Sequence, residues 1–179
     1  MHELAFKHPT YGFRKLFAYL RRDGMLGNRK FRTLNVMDDC SREVLAIEVD
    51  TSLSSRRVIR TLDRIIEQRG KPVSIRTDNG PEFTSKDLEL WSLDKGINLQ
   101  FIQPGKPMQN GYIKRFNRLY REAILDAYLF FDLNEVRVLT DEWIEEYNTK
   151  RPHESLGNKT PYEWKMNLIK NDYALNKTV

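Results

Sequence analysis

The residue best placed to do chemistry is Asp78. It lies in IRTDNGPEF, at the end of the β-prone run VSIRT and just before the turn residues Asn79, Gly80 and Pro81. A carboxylate at a strand's C-terminal end can serve as an oxygen ligand for a hard divalent cation, and helix-covered sheets gather functional groups at such ends. Taken alone, an Asp before Asn-Gly is also a turn former whose side chain bonds nearby amides. A second group of residues follows in QPGKPMQNGYIKRFNRLYREA, where Lys106, Lys114, Arg115, Arg118 and Arg121 stand among Tyr112, Phe116 and Tyr120. Basic groups interleaved with aromatics suit contact with a DNA backbone, and Gly105 and Gly111 let the loop follow a duplex. The plainer account is a solvated helix face with an aromatic core stripe, and Phe116 belongs to the core under both. His2, His8 and His153 are scattered without helical pairing, which argues against a histidine metal site. His153 reads as an exposed imidazole in a polar loop after Pro152, and Trp91, Trp143 and Trp164 read as packing residues.

These side chains need elements to position them. Phe13, Leu16, Phe17 and Leu20 recur at helical spacing among basic residues and predict an amphipathic helix ending before Gly24, with a strand as the alternative. FRTLNV and VLAIEV flank the turn-rich MDDCSRE and predict an antiparallel hairpin over 31–49. A 3.6-residue period over 54–70, opened by Ser54 and closed by Gly70, predicts a helix. VSIRT follows as a strand, 85–95 as a helix closed by Gly96, and NLQFI as a further strand. Residues 112–128 and 133–147 are helical by period, and the stretch from Thr149 reads as a polar tail broken by Pro152 and Pro161. A hairpin followed by alternating strands and helices implies an α/β fold, with a mixed sheet and helices on its faces.

Composition sets outer bounds. The 179 residues suit one core with short appendages. Thirty Lys and Arg against twenty-five Asp and Glu give a formal charge of +5, a mild excess that only suggests a polyanionic partner. Cys40 is the only cysteine, which excludes an intramolecular disulfide and fits a reducing, cytoplasmic setting. No apolar run approaches the roughly 18 residues of a membrane span, so no membrane partner is expected.

FRTLNVMDDCSREVLAIEVD, IRTDNGPEF, FIQPGKPMQNGYIKRFN and YNTKRPHESLGNKTPYEW occur in that order. Together they resemble the catalytic core of insertion-sequence transposases of the orfB type, which are related to retroviral integrases. The resemblance runs from Phe31 to Trp164. It implies a ribonuclease-H-like three-layer core with a mixed sheet flanked by helices. HPTYGFRKLFAYLRRDG resembles the end of the helix-turn-helix region that precedes such cores, and Gly24 to Lys30 joins the two pieces almost directly. An internal deletion accounts for this junction, leaving the core's central first strand deleted or replaced; Lys15 to Leu20, recast as a strand, would fill the gap. The resulting division is 1–30 as helix-turn-helix remnant and junction, 31–165 as integrase-like core, and 166–179 as C-terminal tail.

The family's chemistry, as the resemblance implies it, is DNA cleavage and strand transfer by two Asp and one Glu that hold two Mg²⁺ (or Mn²⁺) ions. Two such ions about 4 Å apart can activate the attacking oxygen and stabilise the leaving one. Asp78 matches the second Asp and is carried over as a metal ligand. Lys114 occupies the position of the Glu, and an ammonium offers donors but no lone pair for a cation. Ala18 and Tyr19 lie near the place of the first Asp, and Asp23 beside Gly24 reads as a turn residue. Asp38 and Asp39 belong to the hairpin turn, expected at the far end of the sheet from Asp78. Glu82 matches a family glutamate outside the triad, and Glu122 lies about 12 Å along the helix from Lys114. The expectation is a DNA transposition protein of the polynucleotidyl transferase type that is catalytically defective, or else a non-catalytic DNA-binding protein of the same fold. Its expected partners are DNA and a second transposase subunit, its own or an intact one.

Overall fold

A computed structural model describes residues 30–103 and 111–175, with side chains as far as 170. The expectations for residues 1–29, including the helix-or-strand question at Lys15 to Leu20, lie outside the described residues, as does Lys106.

The predicted hairpin is β1 (Arg32–Met37) paired antiparallel with β2 (Val44–Asp50), with Thr33 opposite Val49 and Asn35 opposite Ile47. Its turn is built by Asp38, whose carboxylate accepts from the amides of Cys40 and Ser41 and from the Ser41 hydroxyl. Burial pushes the Asp38 carboxyl up, but these bonds and the Lys165 charge outweigh it and hold it below its usual value. Arg42 closes the turn in the left-handed region, at φ 60°.

Helix α1 (Ser55–Arg69) buries Val58, Thr61, Leu62 and Ile65, one stripe at helical spacing. It stops at Gly70, whose amide still bonds the Ile66 carbonyl and whose φ of 86° turns the following chain out of the helix. Strand β3 (Ser74–Thr77) and strand β4 (Asn98–Phe101) pair in parallel, with Ile75 opposite Leu99. Parallel neighbours need a crossover, and α2 (Lys86–Lys95) supplies it. Ser85 caps α2 by accepting from the Leu88 amide, and Gly96 ends it in the left-handed conformation.

Three expectations need correction. The helix expected over 112–128 is α3 (Gly111–Tyr120) followed by a π turn, Arg121–Leu125, closed by the Asp126 amide on the Arg121 carbonyl at 2.8 Å. The wider turn uses up the periodicity, and the chain leaves the helix early. Helix α4 (Leu133–Lys150) runs three residues beyond the predicted end, starting where Asp132 caps the amides of Asn134 and Glu135. The stretch expected as a polar tail contains a 3₁₀ turn at Glu154–Leu156 and a long helix, α5 (Pro161–Leu175), which crosses the expected core–tail boundary at 165/166. Pro161 is the first residue of that helix, where the missing amide costs nothing. Thr160 and Glu163 bond each other's amides at 2.9 and 3.1 Å, a capping box that the sequence TPYE spells out.

Two apolar clusters hold these pieces together. One joins β2 to α3 and α4 through Val44, Ile47, Val49, Phe116, Tyr120, Val136 and Tyr147. The other joins β1 to α1 and α2 through Leu34, Val58, Leu62 and Leu88, with Ile75 and Leu99 against it. Among the described residues β1 pairs only with β2, and β3 only with β4, so the strands form two separate two-stranded sheets. A cleft of about 950 Å³ is walled by both β1 and β3, with Val58 and Leu62 of α1 and Asn117 of α3 also lining it.

Candidate functional site

Asp78 stands at the end of β3 and lines that cleft. Its Oδ1 accepts from the Gly80 amide at 2.9 Å, so the aspartate is indeed a turn former. Asn79 donates to the Ile102 carbonyl at 3.2 Å and ties the turn to the end of β4. Gly80 is required by a close approach rather than by its dihedrals: a Cβ there would lie 3.0 Å from Asp78 Oδ1 and 3.1 Å from Glu82 Oε2. The two carboxylates therefore converge over one glycine, and Asp78 keeps its second oxygen free of protein hydrogen bonds among the described residues.

Two of the basic residues line the other side. Helix α3 turns Phe116 and Tyr120 inward, each 1% exposed, and leaves Lys114, Arg115 and Arg118 outside, with Arg121 exposed on the π turn that follows. Phe116 is core, as expected. Arg118 and Arg121 line the same cleft as Asp78. Asn117 anchors the helix to β1 through the Asn35 amide at 2.8 Å. None of Lys114, Arg115, Arg118 and Arg121 forms an ion pair among the described residues.

These residues do not fit a two-metal centre. The described residues hold no group of three His, Cys, Asp or Glu side chains able to share a cation. Asp38 and Asp39, expected at the far end of the sheet from Asp78, line the same cleft, but Asp38 is engaged in its own turn and Asp39 pairs with Arg76 of β3 at 2.8 Å. Glu122 is exposed on the π turn. Lys114 is exposed on α3 and is not among the residues that line the cleft. Asp23 lies outside the described residues.

Trp143 packs against the Phe116, Tyr120 and Tyr147 rings, and Trp91 donates to Asp63 at 3.0 Å, both as packing residues. His153 is not the exposed loop imidazole expected. It is half-buried, edge-on to the Tyr147 ring at 5.0 Å, and its amide is bonded to the Lys159 carbonyl. Burial, with the charges of Arg151, Arg115 and Arg42, pushes this imidazole below its ordinary value. Two basic residues escape a reading of the sequence. Arg42 lies with its guanidinium 3.4 Å from the centre of the Tyr112 ring, and Arg151 lies 5.9 Å above Tyr147. Each stands alone in its own turn or loop, so no local run of charge marks it.

The sequence matches the integrase core domain family over residues 18–107, half of the chain, and a second integrase core domain family over residues 95–161. An uncharacterized 31.7 kDa protein of insertion element IS407 from Burkholderia multivorans is 40% identical over 142 residues, covering 79% of this chain and 51% of the relative. An uncharacterized 39.2 kDa protein of insertion element IS476 from Xanthomonas euvesicatoria is 39% identical, covering 81% of this chain and 42% of the relative. A putative transposase for IS986/IS6110 from Mycobacterium tuberculosis is 24% identical, covering 72% and 49%. The chain thus spans about half the length of these curated relatives. Among solved structures, the catalytic core domain of BIV integrase superposes with a TM-score of 0.57 at 21% identity, covering 82% of this chain and 99% of that one. The catalytic core domain of HTLV-2 integrase, solved with magnesium in a trimeric form, gives 0.54 at 19% identity, covering 78% and 97%. At these identities the likeness establishes the fold, a ribonuclease-H-like core of the integrase kind. With a family match over half the chain and insertion-element relatives at 40% identity, the chain belongs to the insertion-sequence transposases with an integrase-like core.

Proposed function

We propose that this chain is the core of a transposase that binds DNA along α3 and does not cut it, an internally deleted copy of its family's enzyme. The observation that carries the reading is that Asp78, which lines the cleft, is the sole carboxylate matched to the catalytic triad, while in the sequence Lys114 stands where the third acid belongs. Exposed, ion-pair-free Lys114, Arg115, Arg118 and Arg121 supply the charge for phosphate contacts, with Lys106 continuing the series in sequence. Missing ligands remove transition-state stabilisation but leave the electrostatic attraction to DNA intact. Such a protein would act in the cytoplasm, self-associated or beside an intact transposase that supplies the catalytic acids. The alternative is an active enzyme, for which Asp78 and Glu82 over Gly80 are the carboxylates on offer, since Asp38 and Asp39 also line the cleft but are engaged by Ser41 and Arg76.

The test uses the full chain in two assays. Binding to a fluorescein-labelled duplex, followed by anisotropy, is expected to weaken steeply with salt. Incubation of supercoiled plasmid with Mg²⁺ or Mn²⁺ is expected to leave it intact. Nicking that disappears in Asp78→Ala would establish the active reading instead, and salt-insensitive or absent binding would remove the DNA reading altogether.

A further inference from the structure

Three arginines that are far apart in sequence meet around one aromatic pair. Arg42 comes from the β1–β2 turn, Arg115 from the first turns of α3, and Arg151 from the end of α4. Their common centre is Tyr147, 5% exposed, with His153 set edge-on against it at 5.0 Å. All three positive charges act on both the Tyr147 phenol and the His153 imidazole. Packing accounts for the convergence. The Phe116 ring meets the Tyr147 ring at 5.4 Å, which brings Arg115 to the cluster, and Asn148 bonds both the amide and the carbonyl of Val44, which brings the end of α4 to the turn carrying Arg42.

Gathering three like charges is unfavourable unless something answers them. Elsewhere the fold does answer: Arg57, Arg64, Arg69 and Arg137 each meet a carboxylate. Among the described residues, Arg42, Arg115 and Arg151 meet none; Arg42 donates only to the neutral Asp39 carbonyl. Two of the three are held by their flat faces instead, Arg42 over Tyr112 and Arg151 over Tyr147. Stacking fixes a guanidinium plane and leaves its edge donors for an oxyanion, which it binds with two parallel hydrogen bonds. The enclosed Nε of Arg42 and Nε2 of His153 have no hydrogen-bond partner among the described residues, so the cluster does not satisfy itself internally.

We infer that Arg42, Arg115 and Arg151 form a second phosphodiester site, through which the sugar–phosphate backbone of DNA continues past α3 onto the β1–β2 turn and the loop after α4. The ligand class follows from the chemistry: planar cations without a carboxylate partner, presented edge-on, match the paired oxygens of a phosphate. Continuity with α3 is direct, because Arg115 belongs to both faces and Tyr112, the platform for Arg42, precedes it by one helical turn. The inference rests on the proposed DNA binding along α3 and extends the surface used.

The experiment compares two double variants with the unaltered chain on the same labelled duplex over a range of salt. R42Q/R151Q removes two charges from the cluster, and R56Q/R60Q removes two from the exposed face of α1. Each phosphate left without its arginine should lower the slope of log affinity against log salt by about 0.9, so R42Q/R151Q is expected to reduce it by about 1.8 and R56Q/R60Q by far less. Equal effects of the two pairs, or an unchanged slope in R42Q/R151Q, would overturn the site. If R42Q/R151Q does not fold, as judged by its melting curve, R151Q alone carries the test with an expected change of about 0.9. The two readings fail differently. No binding by the unaltered chain removes both, whereas binding abolished in K114Q/R118Q/R121Q but kept in R42Q/R151Q removes this one alone.

Discussion

Arginines gathered around β2 and those along α3 live under opposite conditions. Around β2, Glu48 meets Arg57 and Arg64 of α1, Asp50 meets Arg57 of α1 and Arg137 of α4, and Glu43, just before the strand, meets Arg69 of α1 and Lys165 of α5. The three carboxylates are largely covered, with side chains 12 to 17% exposed, so these pairs are hydrogen-bonded parts of the packing rather than loose surface contacts. Toward α3, the cations of Lys114 to Arg121 find no carboxylate among the described residues. A formal charge of +5 spread evenly would say little about a partner. Its segregation says more: one side has used its arginines to hold itself together, and the other presents them to solvent.

The strongest way to break the comparison is K114Q/R118Q/R121Q. Removing these three cations from the phosphates should flatten the salt dependence by about 2.7 and weaken binding at moderate salt by about a hundredfold or more. Stability should change by no more than about 0.5 kcal/mol, since the side chains are exposed and form no ion pair among the described residues. Binding that survives this change would show that the unpaired face is merely a solvated one.

The reverse effect is expected of Glu48→Ala on the other face. It leaves Arg64 without a carboxylate and Arg57 with Asp50 alone, and removes an acceptor from the buried Thr61, 3.5 Å away. A loss of about 2 kcal/mol in urea unfolding is expected, with the salt slope of DNA binding unchanged. A change in that slope would mean that the paired arginines also serve the ligand.

Sequence and structure agree where local chemistry is decisive. The hairpin, α1 and α2 are legible because alternation, a clean apolar stripe and Ser and Gly caps all point one way. The early exit of α3 is not, because a π turn follows from packing rather than from a residue signal. Helix α5 has a readable start, since Thr160 and Glu163 carry its capping box, but a proline signals a break and a first helical residue equally well, and Pro161 is the second. At the site, Asp78 and the α3 cations are legible as runs of residues, and both line or flank one cleft. Arg42 and Arg151 are not, because their meeting depends on Asn148 bridging to Val44 across more than a hundred residues.

Helix α3 contains the same contrast within itself. Its inner face ends in a fully buried hydrogen bond between Tyr120 and Thr140 at 2.7 Å, and the hidden phenol is pushed above its ordinary value mainly by burial. Tyr120→Phe should cost about 1 kcal/mol by leaving the Thr140 hydroxyl unpaired, while DNA binding stays as it was. Weaker binding at unchanged salt slope would indicate that the outer face depends on the inner one for its shape.

The smallest effect expected is also the one that reaches the boundary between the two faces. His153 is flanked by Tyr147 and by Arg42, Arg115 and Arg151, and burial with those three charges depresses its protonation. A depressed folded value means the unfolded chain takes up the proton first as pH falls. The associated stability is therefore complete above about 6.5, the ordinary histidine value, and declines as pH falls from there toward the lowered one. Asp38 is lowered as well, but its contribution is lost only below about 3.8, so the two limbs separate. His153→Gln should remove the upper limb of the stability profile and leave the lower one. Phosphates bound to the three arginines would neutralise the charges that oppose protonation, so saturating DNA should raise the His153 midpoint, read from its imidazole resonances. An upward movement would tie the cluster to the ligand through charge alone, and a midpoint indifferent to DNA would confine the unpaired face to α3.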